Sequence, residues 1–286
     1  MSIVHDRSAV SRATDVLIWI VLILTTVVVG LPILYVVQAS FSDSTAIIPR
    51  SWSLAAYRYT MQSQAIWRSL GVSVYITVLG TLISLVLSSL TAYSLSHRAL
   101  PGRRGFLALV VFTMLFSGGI IPTYFVVRAT GLMNTLWAIM IPNAINAFNM
   151  IVLRNFFQNI PESLRESAKI DGCPEPVILW RIIAPLALPA LAAFALFYAV
   201  EKWNIYFNAL LYLSDSRKWP VQVQLRQIIF AQTGLLGESR AEEVTALTSL
   251  SIRSAVIVVS TLPIVLVYPF LHRHFVKGLL VGSIKG

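Results

Sequence analysis

The feature that most constrains this chain is an apolar stretch over residues 16–38 that contains no charged side chain. About 20 apolar residues in a helix are enough to cross the hydrocarbon of a bilayer. Signal peptides have a shorter apolar core followed by a small-residue cleavage site, so we interpret this segment as a retained membrane span. Only 12% of the residues are charged, against about 25% in soluble domains, which indicates a membrane protein.

Further apolar segments follow, and together they predict an all-α polytopic membrane protein with six transmembrane helices in a single domain, residues 1–286. Lipid offers the backbone no hydrogen-bond partners, and continuous apolar runs favour helices over the alternating strands of a membrane barrel. The six predicted spans are 16–38, 72–96, 106–127, 135–153, 184–213 and 255–271.

Lys and Arg residues near the span ends predict the orientation, because cytoplasmic loops are enriched in them. The cluster Arg98, Arg103 and Arg104, between the second and third spans, is the clearest signal. We therefore expect both termini and the 154–183 loop on the cytoplasmic side of a bacterial inner membrane. The net charge of +10 does not indicate nucleic-acid binding, since the basic residues are spread between apolar runs.

Two predicted loops are too long to be simple turns, and long loops are usually functional. In the loop 154–183, Pro161 predicts a helix start and Asp171-Gly172 a stop, with a second start at 174–176. We expect Gly172 to have a positive φ at this turn. The outer loop 214–252 contains an amphipathic stretch, 221–230, that is either a helix or a strand.

The 154–183 loop also contains a family signature. Glu166-Ser167-Ala168, Gly172, Ile182 and Pro185 follow the spacing E-A-A-x-x-x-G-x(9)-I-x-L-P, with Ser167 and Ala184 replacing Ala and Leu. This resembles the coupling (EAA) loop of permeases of ATP-binding-cassette importers. The carbohydrate branch of that family is similar at residues 155–161, 203–204, 275–278 and 282–286. The runs 118–124 and 131–135 look most like permeases of complex-polysaccharide importers, which include alginate importers.

The resemblance implies a permease subunit that translocates an oligosaccharide, such as a polyuronate. Its implied partners are a second permease subunit, two ATPase subunits and a solute-binding protein. The 214–252 loop is our candidate for contacting that protein or its ligand. ATP and Mg²⁺ would bind to the ATPase subunits, and this chain would hold no cofactor. The implied coupling residues are Glu166, Ser167, Ala168, Asp171 and Gly172.

In that interpretation Glu166 pairs with an arginine of the ATPase, while Ala168 and Gly172 allow close approach to its groove. The alternative is that Glu166 forms a solvated i, i+3 pair with Lys169.

Polar residues within the predicted spans are candidates for the solute path, since such side chains usually face the bundle interior. The candidates are Asn143, Asn146, Asn149, Trp203, Asn204 and Asn208. The three fourth-span asparagines recur every three residues, so we expect them on one helical face, where they either line the path or join neighbouring helices. Trp203 either stacks on a sugar ring or anchors the span at the interface. Adjacent Glu201 and Lys202 should point apart, each with its own partner.

Other functional classes find little support in the sequence. There is no G-x-x-x-x-G-K-[ST] phosphate loop, so ATP must bind to another polypeptide. His272 and His274 lie on opposite sides of a helix and make a poor metal pair. We therefore predict no catalytic or metal site and no enzymatic activity. The remaining alternatives are an importer of a neutral oligosaccharide and an ion-coupled secondary transporter.

Overall fold

A computed structural model describes residues 9–42, 52–231 and 249–283. These residues are mostly helical, and within them the one β-type pairing is the bridge between Ser42 and Trp52. The helices are α1 (Ala9–Ser40), α2 (Ala55–Gln62), α3 (Gln64–Ser96), α4 (Arg103–Leu115), α5 (Ile120–Ala129), α6 (Trp137–Met140), α7 (Ala147–Gln158), α8 (Glu162–Ile170), α9 (Glu175–Ile178), α10 (Ala184–Leu186), α11 (Leu188–Trp203), α12 (Phe207–Tyr212), α13 (Val221–Ala231) and α14 (Ser249–Ser283).

Three helical segments are long and apolar enough to cross a membrane: Thr14–Ser40, Gln64–Ser96 and Leu250–Val267. Two bent pairs, α4 with α5 and Glu175–Leu186 with α11, raise this number to five if each pair is one span. The described part of the chain thus offers three to five candidate spans. The number six stays a prediction.

The apolar run 106–127 is not one straight helix. Helices α4 and α5 meet at an angle of 117° across residues 116–119. Gly119 has φ 82° at the bend, a conformation that glycine adopts without the strain a Cβ would cause. The helical pattern predicted here is present, but the two glycines at 118 and 119 interrupt it.

The run 135–153 also differs from the prediction of one span. Helix α6 ends at Met140, residues 141–146 are not helical, and α7 begins at Ala147. Pro142 lies in this gap and lacks the N–H that a continuing helix would use. The expectation that Asn143, Asn146 and Asn149 share one helical face is therefore wrong. The predicted span 184–213 is interrupted in the same way, because α11 ends at Trp203 and α12 begins only at Phe207.

The chain forms two units, one of residues 1–62 and 228–259 and the other of 63–227 and 260–286. In the described part of the first unit, Tyr57 contacts Ser40 Oγ at 2.7 Å, and its ring lies 4.9 Å from that of Phe41. Helix α1 exposes apolar side chains along its length, as expected of a helix in contact with lipid.

The second unit is organised around α3. Small residues of α3, including Gly80, Ser84 and Ser88, are buried where α11 packs against it. Small side chains allow membrane helices to approach closely, and Ser88 Oγ lies 2.7 Å from the hydroxyl of Tyr198. A Cβ added at Gly80 would lie 3.3 Å from Lys202 Cγ, so glycine makes room for the lysine stem.

We predict that Gly80→Val destabilises the α3–α11 contact by roughly 1–3 kcal/mol, the usual cost of overpacking. Gly71→Val is the matched control, because a Cβ at Gly71 meets no atom within 4 Å. The measurement is the thermal unfolding midpoint of the purified protein in detergent. Equal midpoints for the two variants would contradict this description of the packing.

Candidate coupling surface and polar interior

The sequence prediction of a helix, a turn and a second helix within the 154–183 loop is confirmed. Helix α8 ends in a Schellman motif, in which Cys173 N donates to Ala168 O at 2.9 Å and Gly172 N donates to Lys169 O at 3.0 Å. Gly172 has φ 78°, as predicted. Helix α9 follows and continues through a π-helical turn, Leu179–Ile183, into α10. We call residues 162–178 the knob.

The two faces of α8 have different environments. Arg165 and Ala168 are buried in this chain, with exposed fractions of 6% and 5%, whereas Glu166, Ser167 and Asp171 are exposed. Ala168 packs in the core of this chain, and its assignment to the coupling residues stays a prediction.

Exposed residues of α8 form a surface that a partner could contact. Ile170, the last residue of the helix, is 86% exposed, and Glu166 makes no ion pair within the described residues. The alternative pairing of Glu166 with Lys169 is not observed. Lys169 Nζ instead lies 2.7 Å from Glu175 Oε1, so the ion pair joins α8 to α9.

Arg165 attaches the knob to the end of α3. Its Nη2 donates to Ser96 Oγ at 2.9 Å and to Phe157 O at 3.3 Å, while its guanidinium lies 5.0 Å from the centre of the Tyr93 ring. The Tyr93 hydroxyl in turn donates to Glu175 Oε2 at 2.5 Å. Sequence reasoning missed this network, because α3 and the knob lie far apart along the chain.

Further donors cover the C-terminal carbonyls of α3, which have no partners within the helix. Leu95 O accepts from Arg103 Nε at 2.9 Å and from Arg154 Nε at 3.0 Å. Ser96 O accepts from Gln158 Nε2 at 3.1 Å. Arg103, which the charge pattern assigned to membrane orientation, therefore also binds the negative end of the α3 dipole, as does Arg154.

The fourth-segment asparagines have distinct environments. Asn146 is the N-cap of α7, where its Oδ1 accepts from Asn149 N at 3.1 Å. Asn143 is exposed in the non-helical gap, and Asn149 is buried. The structure thus gives Asn146 a local capping role that its regular spacing did not indicate.

Lys202 lies at the same gap. Its side chain is fully buried, and Nζ donates to Asn143 O at 3.0 Å and contacts Glu201 Oε1 at 3.4 Å. The expectation that Glu201 and Lys202 point apart is wrong, because the lysine stem turns back along Gly80 and brings the two charges together. This contact keeps the buried ammonium paired, as a desolvated charge requires.

The other candidates from the predicted fifth span differ in how far their side chains are exposed. Trp203 is 4% exposed, so its ring packs within this chain. Asn204 is exposed and donates from Nδ2 to Val200 O at 2.9 Å. Asn208 is half-buried at the start of α12. Of these three, Asn204 and Asn208 present polar side chains at the surface of the chain.

Comparison with known proteins gives a consistent assignment. Residues 2–281 match the family described as binding-protein-dependent transport system inner membrane component. The chain is 51% identical over 284 residues, 96% of its length and 99% of the relative, to the polygalacturonan/rhamnogalacturonan transport system permease protein YtcP of Bacillus subtilis (strain 168). It is 49% identical to protein LplC of the same organism, over 90% of this chain and 89% of that one.

A solved structure is also similar over nearly the full length. It is the crystal structure of a bacterial ABC transporter involved in the import of the acidic polysaccharide alginate. One of its chains aligns with a TM-score of 0.87 and 32% identity, over 94% of this chain and 98% of that chain.

We predict that Arg165→Gln loosens the knob, because it removes a charged donor from buried acceptors at a cost of roughly 1.5–3 kcal/mol. The expected result is faster amide hydrogen exchange over residues 162–170. Lys169→Gln is the control, since its ion pair with Glu175 is about half exposed and contributes at most about 1 kcal/mol. If both variants exchange at the wild-type rate, Arg165 does not anchor the knob.

Proposed function

This chain belongs to the family of binding-protein-dependent transport system inner membrane components, and on that premise we propose that it is the permease subunit of an ATP-driven importer of acidic oligosaccharides. At the level of the family and its near relatives, it is an ABC importer permease for sugars or oligosaccharides. The acidic substrate class and the coupling mechanism are our proposal.

The observation that most supports an acidic substrate is the 51% identity, over almost the whole of both chains, to a polygalacturonan/rhamnogalacturonan permease. The alginate importer structure, at 32% identity, points to the same chemistry. Polygalacturonan, rhamnogalacturonan and alginate all contain uronate sugars, with one carboxylate per uronate ring. Relatives at 27–28% identity include permeases for arabinooligosaccharides and for trehalose, so a neutral substrate is the alternative that the experiment must exclude.

In the proposed assembly this chain has six spans, with both termini and the knob in the cytoplasm of a bacterial cell. The family implies a second permease subunit, an ATPase and a solute-binding protein. We propose two ATPase subunits, which bind ATP and Mg²⁺ and dock on the knobs of the two permeases. The binding protein delivers the substrate to the opposite face of the membrane. No step of hydrolysis takes place in this chain.

Coupling in this proposal depends on a knob that is rigid on one side and accessible on the other. Arg165 and Ala168 hold α8 to this chain, while Glu166, Ser167 and Ile170 face outward. The outward side enters a groove on the ATPase, where Glu166 pairs with a cation. Asp171 and Gly172 shape the turn that aims α9. A movement of the ATPase then reaches α3 through Arg165 and its contacts.

The proposed substrate path passes the non-helical gap at residues 141–146. Irregular backbone at membrane depth is tolerated where it is buried in protein or lines a water-filled cavity. Exposed Asn143, with Asn204 and Asn208, supplies amides that can bind sugar hydroxyls. Asn146, Asn149 and Trp203 support this path by holding α7 and α11 in position.

We predict that Glu166→Ala weakens the attachment of the ATPase to the permease by about 3–5 kcal/mol, the cost of leaving one member of a buried ion pair unpaired. Glu162→Ala is the control, because Glu162 is also an exposed acid of α8 but lies one turn earlier. ATPase retention on the affinity-tagged permease is the measurement. Wild-type retention by Glu166→Ala would exclude Glu166 from the docking surface.

The substrate class is tested by transport in proteoliposomes that contain both permeases, the ATPase and the binding protein. We expect trigalacturonate to accumulate on addition of ATP, with no effect of an ionophore that collapses ion gradients. Accumulation of a neutral trisaccharide but not trigalacturonate would support the neutral alternative. Uptake that depends on an ion gradient and not on ATP would contradict the importer assignment.

A further inference from the structure

Two adjacent cavities lie at the end of α3 opposite the knob, outside the site described above. One has a volume of about 250 Å³ and is lined by Arg68, Ser216, Trp219, Gln224 and Gln227, among others. The second, of about 580 Å³, is lined by Arg68, Tyr75, Trp137 and Lys218, among others. Arg68 belongs to both, so the two cavities meet at its side chain.

The polar groups of the smaller cavity are available to a ligand. Arg68 is exposed, and Gln224 and Gln227 are half-buried. Among the residues that the structure describes, none of these three side chains makes a hydrogen bond or an ion pair. A guanidinium and two amides therefore converge on one cavity with their hydrogen-bonding capacity unused.

The walls of these cavities are held in place by contacts from other parts of the chain. Asn134, with φ 56°, accepts from Asp215 N at 3.1 Å through Oδ1 and from Lys218 Nζ at 2.6 Å through its carbonyl. Ser73 Oγ of α3 accepts from Val221 N at 2.8 Å, which positions the first turn of α13.

Trp219 is held in the same way. Its indole Nε1 donates to Leu213 O at 3.1 Å, and the residue remains only partly buried. The indole N–H is thus already bonded, and what the residue offers to the cavity is aromatic surface.

This combination selects one kind of ligand. A guanidinium forms bidentate hydrogen bonds with a carboxylate. Carboxamides bond to hydroxyls as donors and acceptors, and an indole provides apolar surface for the C–H groups of a sugar ring. The volume of about 250 Å³ is below the ~300 Å³ at which pockets for drug-sized ligands begin, so this cavity suits a single sugar residue.

We propose that Arg68, Trp219, Gln224 and Gln227 form a binding site for one uronate residue of an oligosaccharide, with the adjoining cavity receiving the next part of the chain. The proposal rests on the proposed function and places a charge-selective site at the opposite end of α3 from the coupling knob. Arg68 binds the carboxylate, the two glutamines bind ring hydroxyls, and Trp219 contacts the ring.

The test is calorimetric binding of trigalacturonate, and of its fully methyl-esterified form, to the complete transporter in detergent without the binding protein. Wild type should bind the acid more tightly than the ester. Arg68→Gln should raise the Kd for the acid about tenfold, the loss expected for one charge-assisted hydrogen bond, and leave the Kd for the ester within about twofold. Gln227→Ala should weaken both ligands, since the ester retains its hydroxyls.

Arg217→Gln is the matched control. It removes one positive charge from the segment 216–219, two residues of which line the smaller cavity, but Arg217 itself lines neither cavity and is already paired with Asp215 at 3.1 Å. The hydrogen bond from Arg217 accordingly holds the pKa of the Asp215 carboxyl below its usual value. The affinity of this variant for both ligands should equal that of wild type.

Each other outcome counts against the site. Equal binding of acid and ester by wild type, or an unchanged Kd for the acid in Arg68→Gln, overturns it. A Kd unchanged for both ligands, together with weaker attachment of the binding protein in Arg68→Gln, means that this surface docks a protein. Transport of trigalacturonate by the wild-type protein is measured separately. The binding-site proposal can therefore be overturned while the proposed function stands, and the proposed function can be overturned while the binding site stands.

Discussion

The end of α3 is the point on which the rest of the described second unit depends. A helix that ends within a protein leaves carbonyls without internal partners, and here four side chains from three other elements reach the last turn of α3. Arg103 and Arg154 donate to Leu95 O, Gln158 to Ser96 O, and Arg165 to Ser96 Oγ. Charged donors to a helix C-terminus are favourable because of the helix dipole. The same bonds therefore satisfy α3 and hold the knob against it.

Helix α3 also connects the two proposed functional ends of the unit. Its 33 residues extend about 50 Å at 1.5 Å per residue. The knob contacts its last turn, the cavities around Arg68 lie near its first turns, and Lys202 packs against Gly80 between them. A rigid helix in contact with all three places can transmit a displacement without any change of its own structure.

Local features of the fold could be predicted from the sequence, and features that depend on contacts between distant segments could not. The bounds of α8 and the positive φ of Gly172 follow from a proline, a helix-forming run and an Asp-Gly stop. The breaks at Gly119 and after Met140 were missed because hydropathy is averaged over a span and hardly responds to two glycines or one proline. The partners of Arg165 and Lys202 could not be predicted, since only the fold brings Ser96 and Asn143 to them.

Lys202 explains why the break in the fourth segment is compatible with a membrane protein. A chain that leaves the helix exposes carbonyls, and an unpaired carbonyl in a lipid environment costs several kcal/mol. The ammonium of Lys202 binds one of them, Asn143 O, while Glu201 contacts the same ammonium. The buried charge and the broken backbone thus stabilise each other, because the ammonium and the carbonyl each give the other a hydrogen-bond partner. The stem of this lysine packs against Gly80, where an added Cβ would lie 3.3 Å from Cγ, so the absence of a side chain at residue 80 favours the contact that pairs Lys202 with the broken backbone.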